Sequence, residues 1–138
     1  MATRWTVGKV QEDGVTVRSV YGHWDGYPEH AGKMLQDFYS DEDKLDRLLD
    51  MGDISSIDQQ IGSPTERNPF DDRTEGMTTF YGRDRGEDGV SALIHANVEE
   101  WLGFRKGSWC EYGYLMVNGE WHTFKITSSG TTLITEKN

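Results

Sequence analysis

Tyr21-Gly22-His23-Trp24-Asp25-Gly26-Tyr27-Pro28 is the stretch where one periodicity gives way to another. Upstream of it side chains alternate as in a strand, and downstream apolar residues return every three or four positions as in a helix. Gly22 and Gly26 flank the stop. Pro28 stands at the first helical position, where its missing N–H costs nothing, and Glu29 follows at the positive end of the helix dipole. The fold reads outward from this junction.

On the N-terminal side, residues 4–22 form a β-hairpin. Trp5, Val7 and Lys9 share one side, Val15, Val17 and Ser19 alternate in the returning strand, and Glu12-Asp13-Gly14 supplies the turn. On the other side, Ala31, Met34, Leu35 and Phe38 place an amphipathic helix over residues 28–39. Ser40 is the expected N-cap of a second helix, with Asp43 three residues on, Leu45, Leu48 and Leu49 as its buried stripe, and Gly52 at its end. Ile54, Ile57 and Ile61 predict a third short helical piece.

Residues 62–76 are rich in Pro, Asp and Arg around an isolated Phe70, and read as an exposed loop. Residues 77–81 follow as a strand, then a charged turn over 82–89, then 90–95 as strand or helix. Asn97 caps a short helix carrying Val98, Trp101 and Leu102, which Gly103 ends. Cys110, Tyr112 and Tyr114 alternate along a strand, Asn118-Gly119 turns it, and residues 121–126 return. Residues 127–138 are an edge strand or a flexible tail. The expected class is α+β, one domain over residues 1–138. Its antiparallel sheet is built from the N- and C-terminal hairpins plus a central strand, with two to four helices packed on one face.

The chain has 138 residues, 14 Lys and Arg against 24 Asp and Glu, and a net charge of −10, which disfavours direct nucleic-acid binding and an anionic membrane. It favours a protein partner with a basic surface. Cys110 is the lone cysteine, so no internal disulfide or CxxC site can form. The N-terminus lacks the apolar segment of a signal peptide, and no run has membrane-spanning length. No pattern predicts a cofactor, a metal or a catalytic set. There is no Walker loop and no nucleophile elbow, and His30, His95 and His122 are scattered.

Three groups are candidate sites. His23 and Asp25, two apart at a strand end, point to one side, which suits an anion at the helix start or an acid/base pair; a turn capped by Asp25 explains them equally. Arg83, Asp84 and Arg85 read either as a clamp for phosphate or carboxylate or as a salt-bridged loop. Glu42, Asp46, Asp50 and Asp53 make an acidic stripe at spacings of four, four and three. Such a stripe is a partner-binding candidate or a solvated helix face.

Residues 21–28, with Gly32 and Leu35 after them, resemble the opening motif of small proteins of unassigned function in tailed-phage genomes. The likeness continues in Arg83-Asp84-Arg85-Gly86-Glu87-Asp88 and in Glu111-Tyr112-Gly113-Tyr114-Leu115 ahead of Gly119-Glu120-Trp121, covering residues 17–124. The resemblance implies a phage origin and action in the host cytoplasm, and it brings no reaction and no catalytic residue. The leading expectation is a non-enzymatic binder of a host or phage macromolecule, with defence antagonism as one form. The alternatives are a protein that binds or hydrolyses a nucleotide-like anion through His23, Asp25, Arg83 and Arg85, and a virion or assembly component.

Overall fold

The computed structural model describes residues 2–67 and 73–134; Phe70 and residues 135–138 lie outside them. In chain order the strands are β1 (Trp5–Val10), β2 (Val17–Gly22), β3 (Ile54–Ser56), β4 (Thr79–Phe80), β5 (Leu93–His95), β6 (Tyr112–Val117), β7 (Glu120–Thr127) and β8 (Gly130–Leu133). The helices are α1 (Lys33–Phe38), α2 (Glu42–Asp50), α3 (Tyr81–Arg85) and α4 (Val98–Gly107), and a π-helical turn, Pro28–Gly32, leads into α1. One eight-stranded sheet runs β4-β3-β2-β1-β6-β7-β8, with β5 beside the first half of β2. Among the named strands of the described residues, only β1–β6 and β2–β3 pair in parallel, and Gln60 and Met77 add an isolated parallel bridge. The class is α+β, as the sequence predicts.

Both hairpins form where expected. Asp13 closes the first turn by accepting from the Val15 and Thr16 amides, both at 2.9 Å. Asn118 and Gly119 take φ of 48° and 82° in the second, the left-handed pair that a two-residue turn requires.

Strand alternation gives the sheet two covered faces. Trp5 and Val7 point one way, into a core with Val20, Leu35, Tyr39, Leu45, Leu48, Leu49, Ile54, Phe80 and Tyr114 beneath α1 and α2. Val17 and Leu115 point the other way, against Trp101 and Leu102 of α4. A Cβ on Gly8 would press on Val17 and Trp101, so that gap is filled by the tryptophan. The expectation of helices on one face therefore holds for α1 and α2, while α4 covers the opposite side.

Other boundaries differ for local reasons. Ile54 is paired between Gly22 and Phe80, so the segment spaced like a helix is strand β3. Long-range pairing overrides an ambiguous isoleucine spacing there. Residues 77–81 supply a two-residue strand at the sheet edge, and the centre belongs to β1. Asp41, one residue after Ser40, caps α2 by accepting from the Asp43 amide. Ser40 instead donates to the Gln36 carbonyl at 2.6 Å. Gly103 does not end α4, which continues to Gly107 because Arg105 is anchored beneath it.

That anchor is a buried polar group between α4 and the sheet. Arg105 donates through Nε (3.2 Å) and Nη2 (2.9 Å) to Ser19 Oγ, which lies 2.7 Å from His95 Nε2. Arginine only donates, so the serine hydrogen goes to His95 Nε2, and the imidazole is neutral with its proton on Nδ1. Burial, then the Arg105 charge, holds His95 below the usual histidine range. Unfolded, this histidine takes a proton near pH 6.5; folded, it resists. Its contribution to stability is thus complete above the unfolded value and is lost as pH falls through the depressed folded one. Urea unfolding should show stability declining from pH 7.5 to 5.5, with a shallower decline in His95→Gln. Identical slopes would contradict this assignment.

Candidate functional site

The junction at 21–28 is held in place by backbone. His23 N donates to the Ile54 carbonyl and Trp24 N to the Ser55 carbonyl, each at 3.0 Å, so the chain keeps following β3 after β2 ends. Asp25 then turns at φ 54°, a left-handed value that Asp tolerates better than most residues. Gly26 N donates to the Thr3 carbonyl at 2.9 Å, and the Gly26 carbonyl accepts from the Tyr114 hydroxyl at 2.6 Å. Trp24 is left 43% exposed beside this turn.

On the far side of β3, α3 is a helical turn where the sequence predicts the end of a strand and the start of a charged turn. Gly86 closes it at φ 67°, with Gly86 N donating to the Gly82 carbonyl and Glu87 N to the Tyr81 carbonyl, a left-handed glycine ending. Residues two apart on a helix face opposite ways. Arg83 accordingly points inward, donating to the carbonyls of Ile61, Gly62 and Thr78 and to Asp84. Asp84 is buried and also accepts from the Phe80 amide at 2.8 Å. Arg85 points outward, its guanidinium 5.3 Å from the Tyr81 ring centroid.

Asp25 and Arg85 therefore meet, whereas Arg83 and Asp84 turn away from them. Together with Trp24, Ser55, Ser56 and Arg73 they line a cavity of about 250 Å³. Among the described residues Arg85 has no carboxylate within 4.0 Å, and Arg73 reaches Asp58 only at 3.9 Å. Ser55 is 1% exposed and its hydroxyl has no hydrogen-bond partner among the described residues. A buried hydroxyl left unmet costs about 1–3 kcal/mol.

His23 stands beside the cavity and does not line it. Its Nδ1 lies 2.7 Å from the Tyr21 hydroxyl, and its ring meets Trp24 edge to face at 4.7 Å. Burial pushes the Tyr21 phenol up to about 12, so Tyr21 keeps its proton and donates it to Nδ1. Burial, then the guanidiniums of Arg4 and Arg85, lowers His23, which leaves it neutral at pH 7. It is thus tied to the strand it ends.

The acidic stripe is engaged within the fold. Lys9 bridges Asp46 (3.0 Å) and Glu42 (3.4 Å), Arg18 meets Asp50 at 2.6 Å, and Asp53 accepts from the Tyr21 amide at 2.9 Å. Burial raises the Asp53 carboxyl. Cys110 is buried just before β6, and burial pushes its thiol up to about 12, which leaves it unreactive. Among the described residues no group of three or more His, Cys, Asp and Glu could hold a metal, and no helix is long and apolar enough to cross a membrane.

Ser55, Ser56 and Arg73 escape a reading of the sequence as helix and exposed loop. Reading residues 54–56 as strand would have sent Ser55 away from buried Ile54. Comparison with protein-family models, curated proteins and solved structures finds no match to this chain.

Arg83 and Arg85 should separate cleanly in a stability assay. Removing the buried carboxylate in Asp84→Ala strands Arg83 and should cost about 3–5 kcal/mol. Arg85→Ala should stay within about 0.5 kcal/mol of wild type, as surface changes do. Equal losses in urea unfolding would contradict the inward and outward assignment.

Proposed function

We propose that this protein is a non-enzymatic binding protein that holds a small anion-bearing ligand in the cavity between Trp24, Ser55 and Arg85. The observation that carries the reading is Arg85, which has no carboxylate partner among the described residues, lining one cavity with Ser55, whose buried hydroxyl has no hydrogen-bond partner among them. A guanidinium and a hydroxyl donor match phosphate or carboxylate oxygens. The cavity is positive on a chain of net charge −10, so its charge is a local arrangement and not a reflection of composition. Binding is favoured over turnover because the Ser19–His95 pair, the one serine–histidine contact present among the described residues, is sealed under α4. A phage origin and action in the host cytoplasm rest on the motif resemblance at residues 21–28, and sequestering such a ligand would serve an accessory role there.

Calorimetric titration with inorganic phosphate, pyrophosphate and AMP tests this. At least one should bind saturably, and Arg85→Ala should weaken it at least tenfold. Binding unchanged in Arg85→Ala and Ser55→Ala, or absent with every probe, would refute it.

A second reading, binding to a host or phage protein, is favoured by Trp109. It is 77% exposed and held at φ 67° just after α4, a strained position for so large an apolar side chain. Immobilised protein should then retain a stoichiometric partner from host lysate that Trp109→Ser loses. Equal retention by both would remove Trp109 from any interface.

A further inference from the structure

Asp25 makes the cavity chemically mixed. A carboxylate only accepts hydrogen bonds and repels a bare anion, yet it lines the same 250 Å³ space as Arg73 and Arg85. A ligand that fits both must carry hydroxyl or amine donors close to its anionic end. The volume lies below the roughly 300–1,000 Å³ of sites that enclose a whole drug-sized ligand. Part of a larger ligand must therefore lie outside, and the half-exposed indole of Trp24 is the apolar surface that the rim offers it.

We propose that the ligand is a nucleoside monophosphate or a close relative, with its phosphate on Arg85 and Ser55, its ribose hydroxyls on Asp25 and its base against Trp24. This rests on the anion-binding reading above and narrows it to one ligand class. The pieces are independent in chemistry. Arg85 and Ser55 supply donors, Asp25 supplies an acceptor, and Trp24 supplies a flat face of the kind on which bases stack. Arg73, which also faces Asp58, adds positive charge without a committed contact. The turn that presents Asp25 and Trp24 is fixed by backbone bonds to Ser55 and Thr3, so both are held in place before a ligand arrives.

The test compares AMP, ribose 5-phosphate, inorganic phosphate and adenosine on the full chain by calorimetry, with Trp24→Ala, Asp25→Asn and Arg85→Ala. AMP should bind at least tenfold more tightly than inorganic phosphate, and ribose 5-phosphate should fall between them. Asp25→Asn should weaken AMP and ribose 5-phosphate several-fold while leaving inorganic phosphate unchanged or tighter. Trp24→Ala should weaken AMP and leave ribose 5-phosphate unaffected, and Arg85→Ala should weaken every phosphate but not adenosine. Circular dichroism of each variant separates lost binding from lost folding, and Asp25→Gly, which removes the carboxylate and accepts the left-handed φ, replaces Asp25→Asn if the turn does not fold. If inorganic phosphate binds as tightly as AMP, or Asp25→Asn tightens all phosphates alike, the nucleotide assignment is overturned and a bare-anion site remains. If nothing binds, the anion-binding reading fails with it.

Discussion

The Trp5 indole seated against Gly22 and Gly26 is the contact from which the rest of the arrangement follows. A Cβ at either glycine would fall inside the space of the Trp5 side chain. The tryptophan therefore packs directly on the backbone of the junction, and only glycine permits that approach. Thr3 and Tyr114 complete the clamp by bonding the Gly26 amide and carbonyl. The central first strand, its neighbour β6 and the start of the helical layer are thus tied at one point. In this seat the Trp5 Nε1 has no hydrogen-bond partner among the described residues.

Function and fold meet at that clamp. Because residues 23 and 24 continue to bond to β3, Trp24 and Asp25 arrive next to Ser55 whatever the ligand. The turn of α3, closed by Gly86, brings Arg85 to the same cavity from the other side. Trp24 is bonded to Ser55 through the backbone while Arg85 arrives on α3, so separate segments converge on one cavity. Convergence of this kind, with a lining serine whose buried hydroxyl is unmet among the described residues, is more informative than any one residue type in it.

Much of the framework was legible in the sequence because its signals are local. Asp13 and Gly14, Asn118 and Gly119, the Pro28 start and the Asn97 cap all act within a few residues of their own position. The errors came where a distant partner decides. Ile54, Ile57 and Ile61 have helical spacing, but the pairing of Ile54 with Gly22 and Phe80 makes it strand. Gly103 looks like a helix end until Arg105, two residues later, is seen bonding Ser19 across the interface. Of the candidate residues, Asp25 and Arg85 line the cavity, whereas Arg83 is salt-bridged to Asp84, one of the two readings of that segment, on a helical turn that sends residues two apart to opposite sides. Ser55 carried no signal, since its importance lies in lacking a partner, which only three-dimensional neighbours reveal.

The claim at the centre of this account is that Trp24 and Arg85 act on one ligand in one place. Nitrogen-15 NMR of the Trp24 Nε1–H and Arg85 Nε–H resonances during an AMP titration measures it most directly. Both should shift along a single saturating curve, while Trp101 Nε1–H, bonded to Thr6 inside the core, stays still. Movement of the indole without the guanidinium, or of all tryptophans together, would contradict it.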